Sequence, residues 1–166
     1  MPPVALVDPS TIDTSRVLGD RDAIHRFNPQ RFEMEQLTAV IHVDREERLI
    51  IGYKDVAEDE FWVRGHMPGY PLMPGVLMCE AAAQIASYFC KEVGLFESGF
   101  VGFGGMEEVR FRGPVRPGDR LILVGKAIRL HRRHSIFEVQ GFVKTNMVFH
   151  GKFLGVMISR EDELPG

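Results

Sequence analysis

The first thirty residues mix Pro, Asp and Arg with little periodicity, which predicts an N-terminal arm over 1–30 of extended or short helical pieces. From residue 37 the apolar positions fall into two strand-like runs, 37–43 and 48–56. The charged Asp44-Arg45-Glu46-Glu47 lies between them, so a hairpin is expected. An acidic stretch (Asp55, Glu58, Asp59, Glu60) and Phe61-Trp62-Val63 follow. Then comes Gly65-His66-Met67-Pro68-Gly69-Tyr70-Pro71-Leu72-Met73-Pro74-Gly75. Three prolines and three glycines in these eleven residues exclude regular structure and predict a loop of constrained path.

Residues 76–93 contain no Gly or Pro, are rich in Ala, and end before Gly94, a suitable helix C-cap. On a helical wheel Ile85, Met78, Phe89, Ala82, Val93, Ala86, Cys79 and Cys90 spread over a broad apolar face. Glu80, Gln84, Ser87 and Lys91 form a narrow polar stripe flanked by Val76 and Leu77. A mostly apolar, Ala-rich helix suits a buried position that another element approaches closely. Beyond it the pattern is β-rich, with runs at 100–111, 120–130, 135–145 and 147–158. Pro117-Gly118-Asp119 is a strong turn signal, and 131–134 and 144–146 supply the other reversals. One long helix with a run of antiparallel strands is an α+β arrangement. A single domain over 31–160 and a tail over 161–166 complete the reading.

Composition narrows the function classes. At 166 residues the chain suits one domain that buries about 70% of its unfolded surface. A net charge of −3 and a pI near 6.1 give no global pull toward nucleic acid or an anionic membrane. No apolar stretch approaches the ~20 residues that span a bilayer. The N-terminus shows no basic segment before an apolar run, so a cytoplasmic protein is expected. Cys79 and Cys90 lie eleven residues apart on one helix, roughly 16 Å at ~1.5 Å per residue, too far to bridge.

The sharpest chemical feature is His66 in the Pro/Gly loop with Glu80 fourteen positions later in the helix. Imidazole exchanges protons near neutral pH, and a carboxyl group in apolar surroundings can serve as an acid. Together they could move two protons at neighbouring carbons. The Gly75 N–H, at the helix start, would be free to bind a developing oxyanion. Each residue also has a plain structural reading. A loop histidine is ordinarily a surface or packing residue, the polar stripe could be a solvated face, and Gly75 could merely start the helix. Residue chemistry permits the pair without selecting it.

The run from Gly65 to Gln84 resembles the active-site signature of the 3-hydroxyacyl-(acyl-carrier-protein) dehydratases of dissociated fatty acid synthesis. That signature reads Gly-His-Phe-Pro, a further Pro, Pro-Gly-Val-Leu, then a glutamate followed by Ala-Gln. Phe111-Arg112-Gly113-Pro114-Val115-Arg116-Pro117-Gly118-Asp119 resembles the family's Phe-Arg-x-Pro-Val-x-Pro-Gly-Asp element, and both motifs fall in the family's order. The chain departs from the family over Pro29-Gln30-Arg31-Phe32-Glu33-Met34-Glu35-Gln36-Leu37-Thr38-Ala39, where the usual segment reads Pro-His-Arg-Tyr-Pro-Phe-Leu-Leu-Val-Asp-Arg, and at Met67, which replaces a Phe. The first thirty residues have no family counterpart.

The resemblance implies a hot-dog fold, in which a curved antiparallel sheet wraps the Ala-rich helix. It implies at least a homodimer, the histidine of one subunit facing the acid of the other, with trimers of dimers as larger forms. By position, His66 would take the C2 proton of a 3-hydroxyacyl thioester and Glu80 would protonate the departing C3 hydroxyl. Gly75 would hold the thioester oxygen, and Gln84 is placed with it in substrate binding. No cofactor or metal is implied. Glu rather than Asp at position 80 favours the plain dehydratase branch over the branch that also isomerises the double bond.

Weaker signals remain. Residues 110–133 hold eight basic side chains against one acid, Asp119. Arg110, Arg112, Arg116, Arg132 and Arg133 could form a docking patch for acidic acyl carrier protein, or simply face water on alternate strand positions. Gly102-Phe103-Gly104-Gly105 reads as a strand with a bulge rather than a phosphate loop. His131 and His134 have no evident third metal ligand. Two other functions share the expected fold: an acyl thioesterase, and a non-catalytic acyl-binding module.

Overall fold

The computed structural model describes residues 1–159; the 161–166 tail lies outside them. The expected hairpin is β1 (Ala39–Asp44) and β2 (Leu49–Asp55). Its turn closes where Glu47 N donates to the Asp44 carboxylate at 2.9 Å. The helix, α2, runs Gly75–Glu92. The last four strands are β3 (Phe100–Phe111), β4 (Arg120–Leu130), β5 (His134–Val143) and β6 (Asn146–Ile158). All pairings are antiparallel, in the order β1-β2-β4-β5-β6-β3. Since β2 neighbours β4, the chain between β2 and β3 must cross the sheet to reach the far edge, and α2 makes that crossing. This is the hot-dog architecture.

The helix lies on the inner face. Met78, Ala82, Ile85 and Phe89 pack with Leu121, Leu123, Phe137, Val139, Phe149 and Phe153. Small residues let the two elements approach. A Cβ at Gly52 would sit 2.6 Å from the Ala39 carbonyl oxygen and 3.0 Å from Ile85 Cδ1, so only glycine fits beneath the helix there. Cys79 and Cys90 are buried free thiols, each pushed up to about 11 by burial. The glycine run 102–105 lies in β3, with a register shift between Phe103 and Gly105, as the strand-with-bulge reading expects.

The arm covers the opposite face. Ile51, Tyr53, Ile122, Val124 and Phe142 form a second apolar cluster, and Ala5, Leu6, Val7 and Ile12 pack onto it. Gln140, fully buried at the centre of this face, accepts from Leu6 N at 2.8 Å and donates to the Val4 carbonyl at 3.0 Å. The arm then pairs Gly19 with Val40 on β1 and forms a short helix, α1 (Arg21–Phe27), capped by Asp20. Phe27 meets Tyr88 of α2 with ring centroids 4.8 Å apart. The arm is thus part of the packing on both faces.

Candidate active site

The loop carrying His66 is rooted at several points. Val56 N donates to the Asp119 carbonyl and Gly118 N to the Val56 carbonyl, tying the end of β2 to the Pro117-Gly118-Asp119 turn. Lys54 and Glu60 form a 2.9 Å ion pair, almost wholly buried. Sequence reading missed this pair, although Lys54 stands in the inward row of β2, opposite Leu121, where a charge signals a partner. The Trp62 carbonyl then accepts from both Gly65 N and His66 N. Leu72 closes the loop: its N–H donates to the His66 carbonyl at 2.8 Å, and its carbonyl meets His66 Nδ1 at 2.8 Å. A carbonyl oxygen can only accept, so Nδ1 carries the proton and the neutral ring keeps its lone pair on Nε2. That nitrogen is the one free to accept a proton.

Pro74 caps α2 and Gly75 opens it. The Gly75 N–H belongs to the first turn, where no intrahelical acceptor exists, and it has no partner among the described residues. The Phe111 ring packs against Gly75, 2.7–2.9 Å from where a Cβ would lie, so any side chain here would displace it.

The polar stripe on α2 is not a solvated face. Gln84 is 2% exposed and Ser87 is also buried. The Gln84 side chain accepts from Gln36 N at 2.9 Å and donates to the Met34 carbonyl at 2.7 Å and to Glu80 Oε1 at 2.8 Å. Its backbone carbonyl accepts from Asn28 Nδ2 at 2.9 Å. Gln84 therefore fastens the segment 28–36 to the helix and orients the Glu80 carboxyl group, and its amide is fully occupied by protein groups. Glu80 lines a narrow slot of about 40 Å³ between α2, β3 and β6, walled by Gln30, Val101, Phe103, Ser135 and Phe153, among others.

Within one chain no hydrogen bond joins His66 to Glu80, and His66 is not among the residues walling the Glu80 slot. The five arginines do not form one patch. Arg110 pairs across to His150, and Arg112 reaches the Met1 carbonyl and His150 Nε2. Arg116 donates to the Tyr70 hydroxyl at 2.6 Å, beside the His66 loop. Arg132 and Arg133 lie at the β4–β5 turn, where Met157 N binds the Arg133 carbonyl. Seven residues of β6 separate positions 150 and 157, roughly 23 Å at ~3.3 Å per residue. His131 and His134 stack at that same turn, and no group of three or more potential metal ligands exists among the described residues.

Comparison with known proteins identifies the family. Residues 28–152 match the FabA-like domain family. The chain is 36% identical over 135 residues to the 3-hydroxyacyl-[acyl-carrier-protein] dehydratase FabZ of Moorella thermoacetica, covering 81% of this chain and 94% of that protein. It is 34% identical over 155 residues to FabZ of Syntrophobacter fumaroxidans, covering 92% and 98%. Among solved structures, the dehydratase heterocomplex ApeI:P from Xenorhabdus doucetiae superposes with a TM-score of 0.71 at 17% identity, over 84% of this chain and 93% of that one. At that identity the likeness concerns the fold. The motifs, the architecture and these relatives together place the chain in the FabA-like family, among its FabZ-type dehydratases.

Proposed function

We propose that this protein removes water from (3R)-3-hydroxyacyl thioesters bound to acyl carrier protein, giving trans-2-enoyl thioesters, with His66 as base and Glu80 as acid. The observation that carries this assignment is the Leu72 carbonyl on His66 Nδ1, which leaves Nε2 as the basic nitrogen. His66 Nε2 takes the C2 proton, and the Gly75 N–H receives the negative charge that builds on the thioester oxygen. Glu80 gives its proton to the C3 hydroxyl as the C3–O bond breaks, and water leaves. Solvent exchange then resets both groups. Acid–base partners of this kind typically contribute 10²–10⁴-fold each, and an oxyanion donor about 10²–10³-fold. Gln84 acts as a positioning residue, through Glu80.

A homodimer completes the site, His66 of one protomer meeting Glu80 of its partner. Among the described residues the twelve-residue β3 is an edge strand, paired only with β6. It exposes Phe103, Met106 and Phe111 along an edge suited to strand pairing with a second copy. Val101 and Phe103 of this strand also wall the Glu80 slot, so a partner on this edge sits beside it. Trimers of such dimers are the larger assembly. Acyl carrier protein docks at the Arg110, Arg112 and Arg116 end, since Arg116 touches Tyr70 of the catalytic loop. The protein works in the cytoplasm; no helix among the described residues is long and apolar enough to cross a membrane.

The test is a trans-2-enoyl thioester followed by loss of the conjugated double bond and by free thiol. Wild type hydrates it without thiol release, and His66→Ala lowers the rate at least ~10³-fold. Thiol release by wild type would mark a thioesterase. Silence on several chain lengths, with both carrier protein and coenzyme A, would mark an acyl-binding module.

A further inference from the structure

Residues 28–36, most of which fall in the segment 29–39 that departs from the family pattern, lie against α2. They leave three buried side-chain amide oxygens without a hydrogen-bond partner: Asn28 Oδ1, Gln30 Oε1 and Gln36 Oε1. Of these three residues, only Gln30 walls the Glu80 slot. An orphaned buried acceptor is costly, and it gains most from a small donor that can reach it. At about 40 Å³ the slot exceeds the ~10–15 Å³ that a cavity needs to hold a water. A water there needs two to four polar partners, and Glu80, Gln30 and Ser135 are the polar residues around it.

We infer that Gln30 and Glu80 together form the seat for the water that the reaction releases. The inference rests on the dehydratase reading above. When the C3–O bond breaks, its electron pair stays on the hydroxyl oxygen, which takes the Glu80 proton and becomes water. Gln30 Oε1, buried with no donor among the described residues, accepts a hydrogen bond from that water. In the hydration direction the same oxygen orients the attacking water while Glu80 takes up its proton. Val101, Phe103 and Phe153 wall the rest of the slot with apolar side chains, which leaves Ser135 as the other polar side chain within it. Gln30 thus acts on the hydroxyl and not on the thioester oxygen.

The experiment compares wild type, Gln30→Met and Gln30→Glu in hydrating the trans-2-octenoyl thioester of acyl carrier protein. Gln30→Met keeps the length and removes the acceptor. Its kcat should fall at least ~10-fold, the value of a lost hydrogen bond to a reacting group, with KM within twofold of wild type. Gln30→Glu keeps an acceptor oxygen and should retain at least a third of the wild-type kcat. A Gln30→Met kcat within threefold of wild type overturns the inference. So do equal losses in both variants, or a rise in KM at unchanged kcat, which would mark a packing role. Should Gln30→Met fail to fold, a crystal structure of the wild-type protein decides. A water bonded to both Gln30 Oε1 and Glu80 supports the seat, and a donor from the partner protomer on Gln30 Oε1 overturns it. A wild type that hydrates nothing removes the dehydratase reading itself, whereas normal hydration with an indifferent Gln30→Met removes only this inference.

Discussion

The two faces of the sheet are covered by unlike means. On the inner face an 18-residue helix sets Ile85 and Phe89, both fully buried, among rigid strand side chains. On the outer face the cover is an arm without long regular structure, held by a few backbone bonds to Gln140 and by Ala5, Leu6, Val7 and Ile12. The inner cover repeats itself every turn, whereas the outer cover depends on single contacts. Two of the proposed catalytic groups belong to the first. Glu80 rides on α2, and Gly75 opens it.

The largest difference should appear in matched truncations. Ile85→Ala leaves a cavity between the helix and Gly52, which neither backbone can fill, and should cost about 4 kcal/mol. Ile122→Ala removes the same atoms from the outer cluster, where an irregular arm can settle inward, and should cost about 2 kcal/mol. Urea unfolding of both variants measures the contrast. Equal losses would mean that the arm is packed as rigidly as the helix.

A smaller effect tests how the arm is held. Gln140→Met keeps the volume but leaves the Leu6 N–H and the Val4 carbonyl without their partner. Val4 is 90% exposed, so water can replace part of what is lost, and the cost should be about 1 kcal/mol. Amide exchange should quicken at Leu6 while Ile85 and Phe89 keep their protection. A global rise in exchange would show that the arm and the helix unfold together.

Sequence patterning revealed the inner half of this comparison and little of the outer. The Gly- and Pro-free, Ala-rich run before Gly94 placed α2 within one residue at each end, and the strands at 100–111 and 120–130 matched β3 and β4. The Pro/Gly loop and its histidine were equally plain, because turns and loops are written in local chemistry. The arm has no period to read, and its anchor, Gln140, lies 134 residues from Leu6. The polar stripe on α2 looks the same in sequence whether water or another segment covers it. Only the bonds from Gln84 to Met34 and Gln36 decide the matter. The arginines misled for a related reason. Position 116 and positions 132 and 133 flank an eleven-residue strand, which carries them to opposite ends of the sheet.

The smallest effect concerns how the arm's first residue answers to acid. His150 stands opposite Gln140 on the outer face, and its Nε2 lies 3.0 Å from Arg112 Nη2, which also holds the Met1 carbonyl. A guanidinium can only donate, so this contact requires the neutral ring. Burial first, and then the charge on Arg112, hold His150 below the ordinary imidazole value of 6.5, while Glu138 and Glu108 oppose the shift and Arg110 adds to it. The folded state therefore binds this proton less readily than the unfolded chain. The contribution is fully present above 6.5 and is lost as pH falls below it. Because much of the ring meets solvent, the loss should be slight. His150→Gln keeps an acceptor but cannot titrate, so its stability between pH 7 and 5 should fall less steeply than that of the wild type. The protection of the Leu6 amide, taken relative to its intrinsic exchange rate at each pH, should fall below pH 6 in the wild type alone. Parallel pH curves for the two proteins would free His150 from any part in holding the arm.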